Sequence, residues 1–200
     1  KGKSIALVSD AGMPSICDPG EELVRAIKAC NLDVICIPGP CAIINAIVSS
    51  GFSASRFVFE GFLPKKSSER EERILSISNR DKTTVLFESP HRIYNLMVEL
   101  KHYCGGEREI MIARELTKKY EEHIGPDIDN AISFFQNRAP LGEFTVVIKG
   151  ILRNKEDNFN KLEIKKDLHE LKEAGLSLSS ASKYLAKKYN LTKNYIYNLY

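Results

Sequence analysis

Nowhere do these 200 residues contain an apolar run approaching the roughly 20 residues needed to cross a bilayer. The first residues also lack the long apolar core of a secretory leader. Membrane and export roles are set aside on that pattern, and a cytoplasmic location is expected. The five cysteines, at 17, 30, 36, 41 and 104, form no CxxC pair and no Cys/His spacing typical of zinc. They read as free thiols in a reducing compartment, and no metal is expected. Neither GxxxxGK[ST] nor GxGxxG occurs, so neither a nucleoside triphosphate nor NAD is the natural ligand. One last absence is local. From Ala174 to Tyr200 there is no Asp or Glu, while the same 27 residues hold four lysines and five of the eight tyrosines.

What is present begins with 43% hydrophobic and 28% charged residues of mixed sign, a balance that suits one medium domain with or without a small appendage. The apolar run SIALV leads directly into SDAGMPSICDPGEE, residues 9–22. An apolar strand emptying into a turn of Gly, Pro, Ser and Asp, with a helix starting near Glu21, is a loop of the kind that binds ligands in open α/β sheets. A second strand, 33–37, runs into PGPCAI at 38–43 and an Ala/Ile/Val-rich helix. Cys41 and Ala42 are small enough to let a flat ligand approach the backbone. Further strands are expected near 57–61, 83–87, 108–113 and 143–149, with a short one near 120–124. Helices are expected near 20–30, 41–50, 68–78, 90–102 and 127–137. This alternation predicts α/β layering.

The motifs SDAGMPSICDPG, PGPCA, GFLPKK, ESPHR and ARELTKKYEE stand in this order along the chain. Together they resemble the tetrapyrrole methylase superfamily of S-adenosylmethionine-dependent methyltransferases. The similarity is to the branch that 2′-O-methylates a cytidine of 16S ribosomal RNA in the small subunit. It runs continuously over about residues 3–150 and weakly through the tail. Met13 stands where that branch has Thr, and Cys17 where it has Ser, which removes a hydroxyl contact at position 13. The resemblance implies a two-lobed α/β fold with the ligand between the lobes: residues 1–52 as the remainder of the first lobe, 53–152 as the second, and a hinge around Gly51 to Arg56. It also implies an opening strand, a Gly/Pro-rich loop and an acidic DTR segment ahead of Lys1. A chain without that N-terminal part is expected to be inactive by itself. Cofactor contacts carried over from the resemblance are Asp10, Ala11, Gly12, Ser15, Cys41, Ala42, Phe87, Glu88 and Leu116. A homodimer is implied as well.

Methyl transfer to a ribose hydroxyl calls for positioning, and for a base or an electrostatic aid to the developing alkoxide. Glu88, directly after an apolar strand, is one candidate for the base; an N-cap or a salt bridge to Arg92 is the alternative. Arg114 and Lys118 form a second candidate group. They suit target phosphates, with Lys118 stabilising an alkoxide or serving as base if deprotonated; a surface ion cluster is the competing reading. His91 and His123 are acid–base residue types without a visible partner. Lys65, Lys66 and Arg70 after GFLP form a basic loop expected to meet RNA.

Residues 151–160, ILRNKEDNFN, lose periodicity and read as a linker. After it, 161–200 resembles a helix-turn-helix unit, with Ser179 and Thr192 as helix caps. Its Lys183, Lys187, Lys188 and Lys193 suit phosphates and its tyrosines suit unpaired bases, so RNA is the expected partner. Two other readings stay open. One is a methyltransferase for a precorrin-type tetrapyrrole, against which the basic tail speaks. The other is a non-catalytic RNA-binding protein that keeps the fold.

Overall fold

The computed structural model describes residues 2–136, 138–151, 155–189 and 191–200, and only the backbone over 155–160. The chain divides into two units, Lys1–Ile151 and Leu152–Tyr200.

In the first unit, α1 (Glu21–Ala29) and α2 (Ala42–Ser50) precede a run of strands and helices. These are β1 (Phe57–Phe62), α3 (Ser67–Ser78), β2 (Thr83–Glu88), α4 (Pro90–Cys104), β3 (Ile110–Arg114), β4 (Glu122–Ile124), α5 (Ile128–Gln136) and β5 (Phe144–Ile148). The five strands form one sheet in the order β1-β2-β5-β3-β4, with β1 and β2 parallel and the other neighbours antiparallel. Pro90 opens α4 at a position where its missing N–H costs nothing, and Gly51 in the left-handed region ends α2.

The pleat sorts side chains onto two faces. Leu86, Ile110, Ile112, Phe144, Val146 and Ile148 pack with Ile74, Ile77, Ile93, Leu96 and Ile128 of α3, α4 and α5. Val85, Met111, Ala113 and Val147 point the other way, against Ile43, Ala46 and Ile47 of α2. The sheet is therefore covered on both faces, which explains why β5 is buried at every position.

The two strands expected at 4–9 and 33–37 do not form. Ile5, Val8, Ile35 and Ile37 are exposed, and no ladder joins either segment to a described residue. An apolar run becomes a strand only when a neighbour takes up its backbone donors and acceptors. Pattern alone cannot supply that neighbour.

The second unit has its own core of Ile164, Leu168, Ala181, Leu185, Ile196 and Leu199. It contains α6 (Lys155–Glu173), α7 (Leu178–Lys188) and α8 (Lys193–Tyr197). The polar run KEDNFN, expected to be linker, is instead the first part of α6: extending a helix already nucleated by the apolar stripe that follows costs little. The rest of that linker, 152–154, lies outside the described residues. Leu176 N–H reaches back to Leu171 O and Gly175 N–H to Lys172 O, closing α6 around a glycine at φ 91. Ser177, not Ser179, caps α7, its Oγ accepting from Ser180 N–H at 3.2 Å. Thr192 caps α8 through Tyr195 N–H, as expected.

Candidate active site

Five non-glycine residues among those described have positive φ, and four of them lie in two of the motif loops. Ser15 (φ 68) and Cys17 (φ 53) are in the first loop, and Glu115 (φ 50) and Thr117 (φ 64) follow β3. Backbone held in this sparsely populated region concentrates at ligand-binding sites, so the conformation and the motifs point to the same places.

The first loop leans on the PGPC turn. A methyl placed on Gly39 would stand 3.1 Å from Met13 Sδ, and one on Gly12 would stand 3.6 Å from Pro40 O. On its other side the loop meets β1, where Gly61 (φ 62) lies at a register shift and a methyl there would be 3.2 Å from Cys17 Sγ. Gly12 itself has φ 77, a conformation that costs any L side chain roughly 1–2 kcal/mol. Cys41 is the N-cap of α2 and Ala42 its first residue, both half-buried. Cys41, Phe87 and Leu116 pack against the same apolar cluster on the α2 face of the sheet. Two motifs and the strand residue just before a third thus converge on one surface, with Asp10 and Ala11 exposed on the adjoining loop and Ser15 half-buried within it. This surface offers small side chains, apolar walls and a positive-φ turn, and it fits a flat ligand carrying polar groups.

Glu88 and Arg114 belong to the opposite face. Being the last residues of β2 and β3, they alternate away from Phe87 and Ala113. The Glu88 side chain is wholly buried; Oε1 accepts from Ser89 N–H at 2.9 Å and lies 3.3 Å from Arg92 Nε, while Oε2 lies 3.4 Å from Arg70 Nη2. The carboxylate is committed to two guanidinium groups on the face away from Phe87, which is the salt-bridge arrangement and not that of the expected base. Arg70, expected at the RNA surface, is corrected as well. It is 8% exposed and committed to Glu88 and to Glu99, the latter at 2.7 Å, because its position on α3 faces the sheet. Arg114 donates from Nε to Leu141 O at 2.7 Å and pairs with Glu122 at 3.2 Å, bracing the β3–β4 hairpin against the loop before β5.

Lys118 lies 3.1 Å from Glu115 Oε1 and 2.9 Å from Glu143 Oε2. Hydrogen bonds from its ammonium to Glu143 and Glu115 push it above the ordinary lysine range. A role as base calls for the opposite shift, so the arrangement favours the electrostatic role. The Glu143 N–H, more than Lys118, holds Glu115 below the usual carboxylate range. Beside this cluster is an open depression of about 390 Å³ lined by Arg114, Glu115, Tyr120, Leu141 and Gly142. Tyr120, which sequence reasoning passed over, presents its ring there at 64% exposure. An exposed aromatic within a basic run is the signal that could have found it.

Lys65 and Lys66 are exposed, with Lys66 only 3.5 Å from Glu69. His91 is exposed, and His123 lies 3.4 Å from Glu121. In the helical unit, Lys183, Lys187 and Lys193 are exposed, whereas Lys188 Nζ is 2.6 Å from Asp167 Oδ2. No group of His, Cys, Asp and Glu among the described residues is arranged to hold a metal ion. No helix is long and apolar enough to cross a membrane among the described residues.

A five-stranded mixed sheet covered on both faces, with glycine- and proline-rich loops gathered at one cleft, defines an α/β ligand-binding protein. Its fold is that of the methyltransferase CobJ, with a TM-score of 0.53 at 18% identity over 70% of this chain and 62% of that one. It is also that of a cobalt precorrin-4 methyltransferase, with a TM-score of 0.52 at 14% identity over 69% of this chain and 61% of that one. Residues 1–131 match the tetrapyrrole (corrin/porphyrin) methylases, and the chain belongs to that family. Among curated relatives, it is 41% identical over 198 residues to ribosomal RNA small subunit methyltransferase I of Synechocystis sp., covering 99% of this chain and 71% of the relative. To the protein of the same name from Bacillus subtilis it is 34% identical, covering all of this chain and 69% of the relative. The chain thus spans about 62% of the length of the solved methyltransferases and about 70% of these relatives.

Proposed function

We propose that this protein transfers a methyl group from S-adenosylmethionine to the 2′-hydroxyl of a cytidine in 16S ribosomal RNA. The observation that carries the reading is the convergence of Cys41, Phe87 and Leu116, from two motifs and the strand end before a third, on the α2 face beside the first loop. That surface, with the Asp10–Gly12 backbone, Ser15 and Ala42, would hold the cofactor, which supplies an activated methyl group. Lys118, kept protonated by Glu115 and Glu143, supplies positive charge for a developing alkoxide or a neighbouring phosphate. Lys65, Lys66 and the exposed lysines of the helical unit meet the RNA backbone, and exposed Tyr184, Tyr195 and Tyr197 offer faces to unpaired bases. Residues 1–52 and 53–152 act as two lobes hinged near Gly51. The protein works in the cytoplasm as a pair of identical chains, for which exposed Ile44 and Val48 on α2 provide apolar surface.

The test is transfer of radiolabelled methyl from S-adenosylmethionine to purified small ribosomal subunits, to naked 16S ribosomal RNA and to a precorrin-type tetrapyrrole. Label in RNA supports the proposal, and digestion of that RNA to 2′-O-methylcytidine fixes the atom. Label in the tetrapyrrole alone would favour the second methyltransferase reading, to which the family as a whole lends weight. RNA binding with no label in either acceptor would favour a non-catalytic protein.

A further inference from the structure

A buried charge cluster lies on the face of the sheet away from the proposed cofactor surface, and it joins two motifs distant in sequence. Arg92, on the first turns of α4, lies 3.3 Å from Glu88 through Nε and donates from Nη2 to Leu63 O at 2.8 Å. Leu63 is the first residue after β1 and is 2% exposed; Lys65 and Lys66 follow two and three residues later. Where the same loop re-enters regular structure, Arg70 of α3 returns to Glu88 at 3.4 Å and is itself held by Glu99. One carboxylate with a wholly buried side chain thus receives a guanidinium from each side of the GFLPKK loop. Glu88 directly follows Phe87, whose ring is 5.1 Å from Phe59 and 5.7 Å from Phe62.

Buried ion sets of this kind contribute little net stability compared with apolar packing, because desolvation offsets attraction. What they do fix is geometry: a guanidinium has one planar fork, and here Arg70 divides its fork between Glu88 and Glu99 and Arg92 between Glu88 and Leu63 O. We propose that Arg70, Glu88 and Arg92 are positioning residues. They form a latch that sets where Lys65 and Lys66 stand relative to the Phe87 turn, so that the basic loop and the cofactor surface keep one register. Glu88 and Arg70 then serve the reaction without touching substrate. The same geometry ties GFLPKK to ESPHR, some 25 residues apart.

This inference rests on the reading of Lys65 and Lys66 as RNA contacts, and the test separates the two. Arg92→Lys keeps the charge but cannot span both Glu88 and Leu63 O; Glu88→Gln keeps the shape and removes the charge. The same measurements are made on a Lys65→Gln/Lys66→Gln variant. In the whole protein, three quantities are measured: amide hydrogen exchange of Lys65 and Lys66, affinity for 16S ribosomal RNA across salt concentration, and affinity for S-adenosylhomocysteine. For Arg92→Lys we expect faster exchange at Lys65 and Lys66 and a salt slope reduced by roughly 1, the loss of one to two phosphate contacts. S-adenosylhomocysteine affinity should stay within about twofold, since the cofactor surface is on the other face. Glu88→Gln should act in the same direction. A merely structural role would lower the melting temperature and leave exchange at Lys65 and Lys66 and the salt slope unchanged, and that result overturns the latch. If Lys65→Gln/Lys66→Gln leaves RNA affinity unchanged, the reading of the loop fails. The exchange measurement then decides the latch alone, with unchanged protection in both latch variants refuting it.

Discussion

The four lysines of the helical unit are not equivalent, and the difference can be turned into a number. Lys183 and Lys187 are exposed on α7. Lys193 is exposed and donates to the neutral Ser179 Oγ at 2.8 Å, with no ion-pair partner among the described residues. Lys188 is different: its ammonium is 2.6 Å from Asp167 Oδ2, which also accepts from the Tyr189 hydroxyl at 2.7 Å. These bonds push Lys188 well above the ordinary lysine range, Asp167 contributing more than Tyr189. Among the described residues Lys183, Lys187 and Lys193 have no ion-pair partner, and these three are assigned to phosphates. At about 0.7 per contact with single-stranded RNA, a Lys183→Gln/Lys187→Gln/Lys193→Gln variant should flatten the slope of log affinity against log salt by roughly 2. Between 50 and 200 mM salt, the native protein should then lose about 20-fold more affinity than the variant. Fluorescence anisotropy of labelled 16S ribosomal RNA fragments at several salt concentrations measures this directly. Lys188→Gln alone should leave the slope nearly unchanged and lower the thermal stability of the unit. Parallel salt lines for the triple variant, or a slope change concentrated in Lys188→Gln, would refute the assignment.

Ala42→Leu should abolish binding of S-adenosylhomocysteine in calorimetry while circular dichroism stays native, because the residue is half-buried at the start of α2 where ligand meets backbone; full affinity would move the cofactor elsewhere. Asp167 is held below the usual carboxylate range, mainly by Lys188 and then by Tyr189. Its folded value is thus below its unfolded value, so its contribution is complete at neutral pH and is lost as pH falls below about 4 toward the folded value. Thermal melts of Asp167→Asn against the native protein should converge as pH drops through that range, and a constant difference would contradict the assignment. Tyr120→Ala should weaken RNA binding by about 1–3 kcal/mol if its exposed ring stacks on a base, with Tyr120→Phe close to native. Equal losses in the two variants would assign the effect to the hydroxyl.

The sheet was legible where pattern and pairing coincide. The apolar runs at 83–88, 110–114 and 144–148 are strands because each has hydrogen-bonded neighbours on both edges. The runs at 4–9 and 33–37 carry equally apolar patterns and are not strands, because pairing is a property of the neighbour and not of the run. The loops proposed to hold the cofactor were picked out by glycine, proline and small residues, and four of the five positive-φ non-glycine residues described lie in two of the motif loops. For Glu88 and Arg114 the sequence left chemistry and ion pairing open without deciding between them, and the burial of Arg70 was not legible. Their residue types promised chemistry, but the two-residue alternation of β2 and β3, together with the inward side of α3, placed them in ion pairs on the far face. Face depends on exact register at a strand end, and a charged residue there reads the same whether it points into the cleft or away from it. Lys188 shows the same limit in a helix, since Asp167 lies 21 residues earlier and nothing local connects them.

The central claim is methylation of a cytidine ribose in 16S ribosomal RNA, and nucleoside mass spectrometry tests it most directly. Small-subunit RNA is taken from cells lacking the gene and from the same cells supplied with the native gene or with an Ala42→Leu version. The account predicts loss of one 2′-O-methylcytidine on deletion, its return with the native gene, and no return with Ala42→Leu. Undiminished 2′-O-methylcytidine in the deleted cells would contradict it.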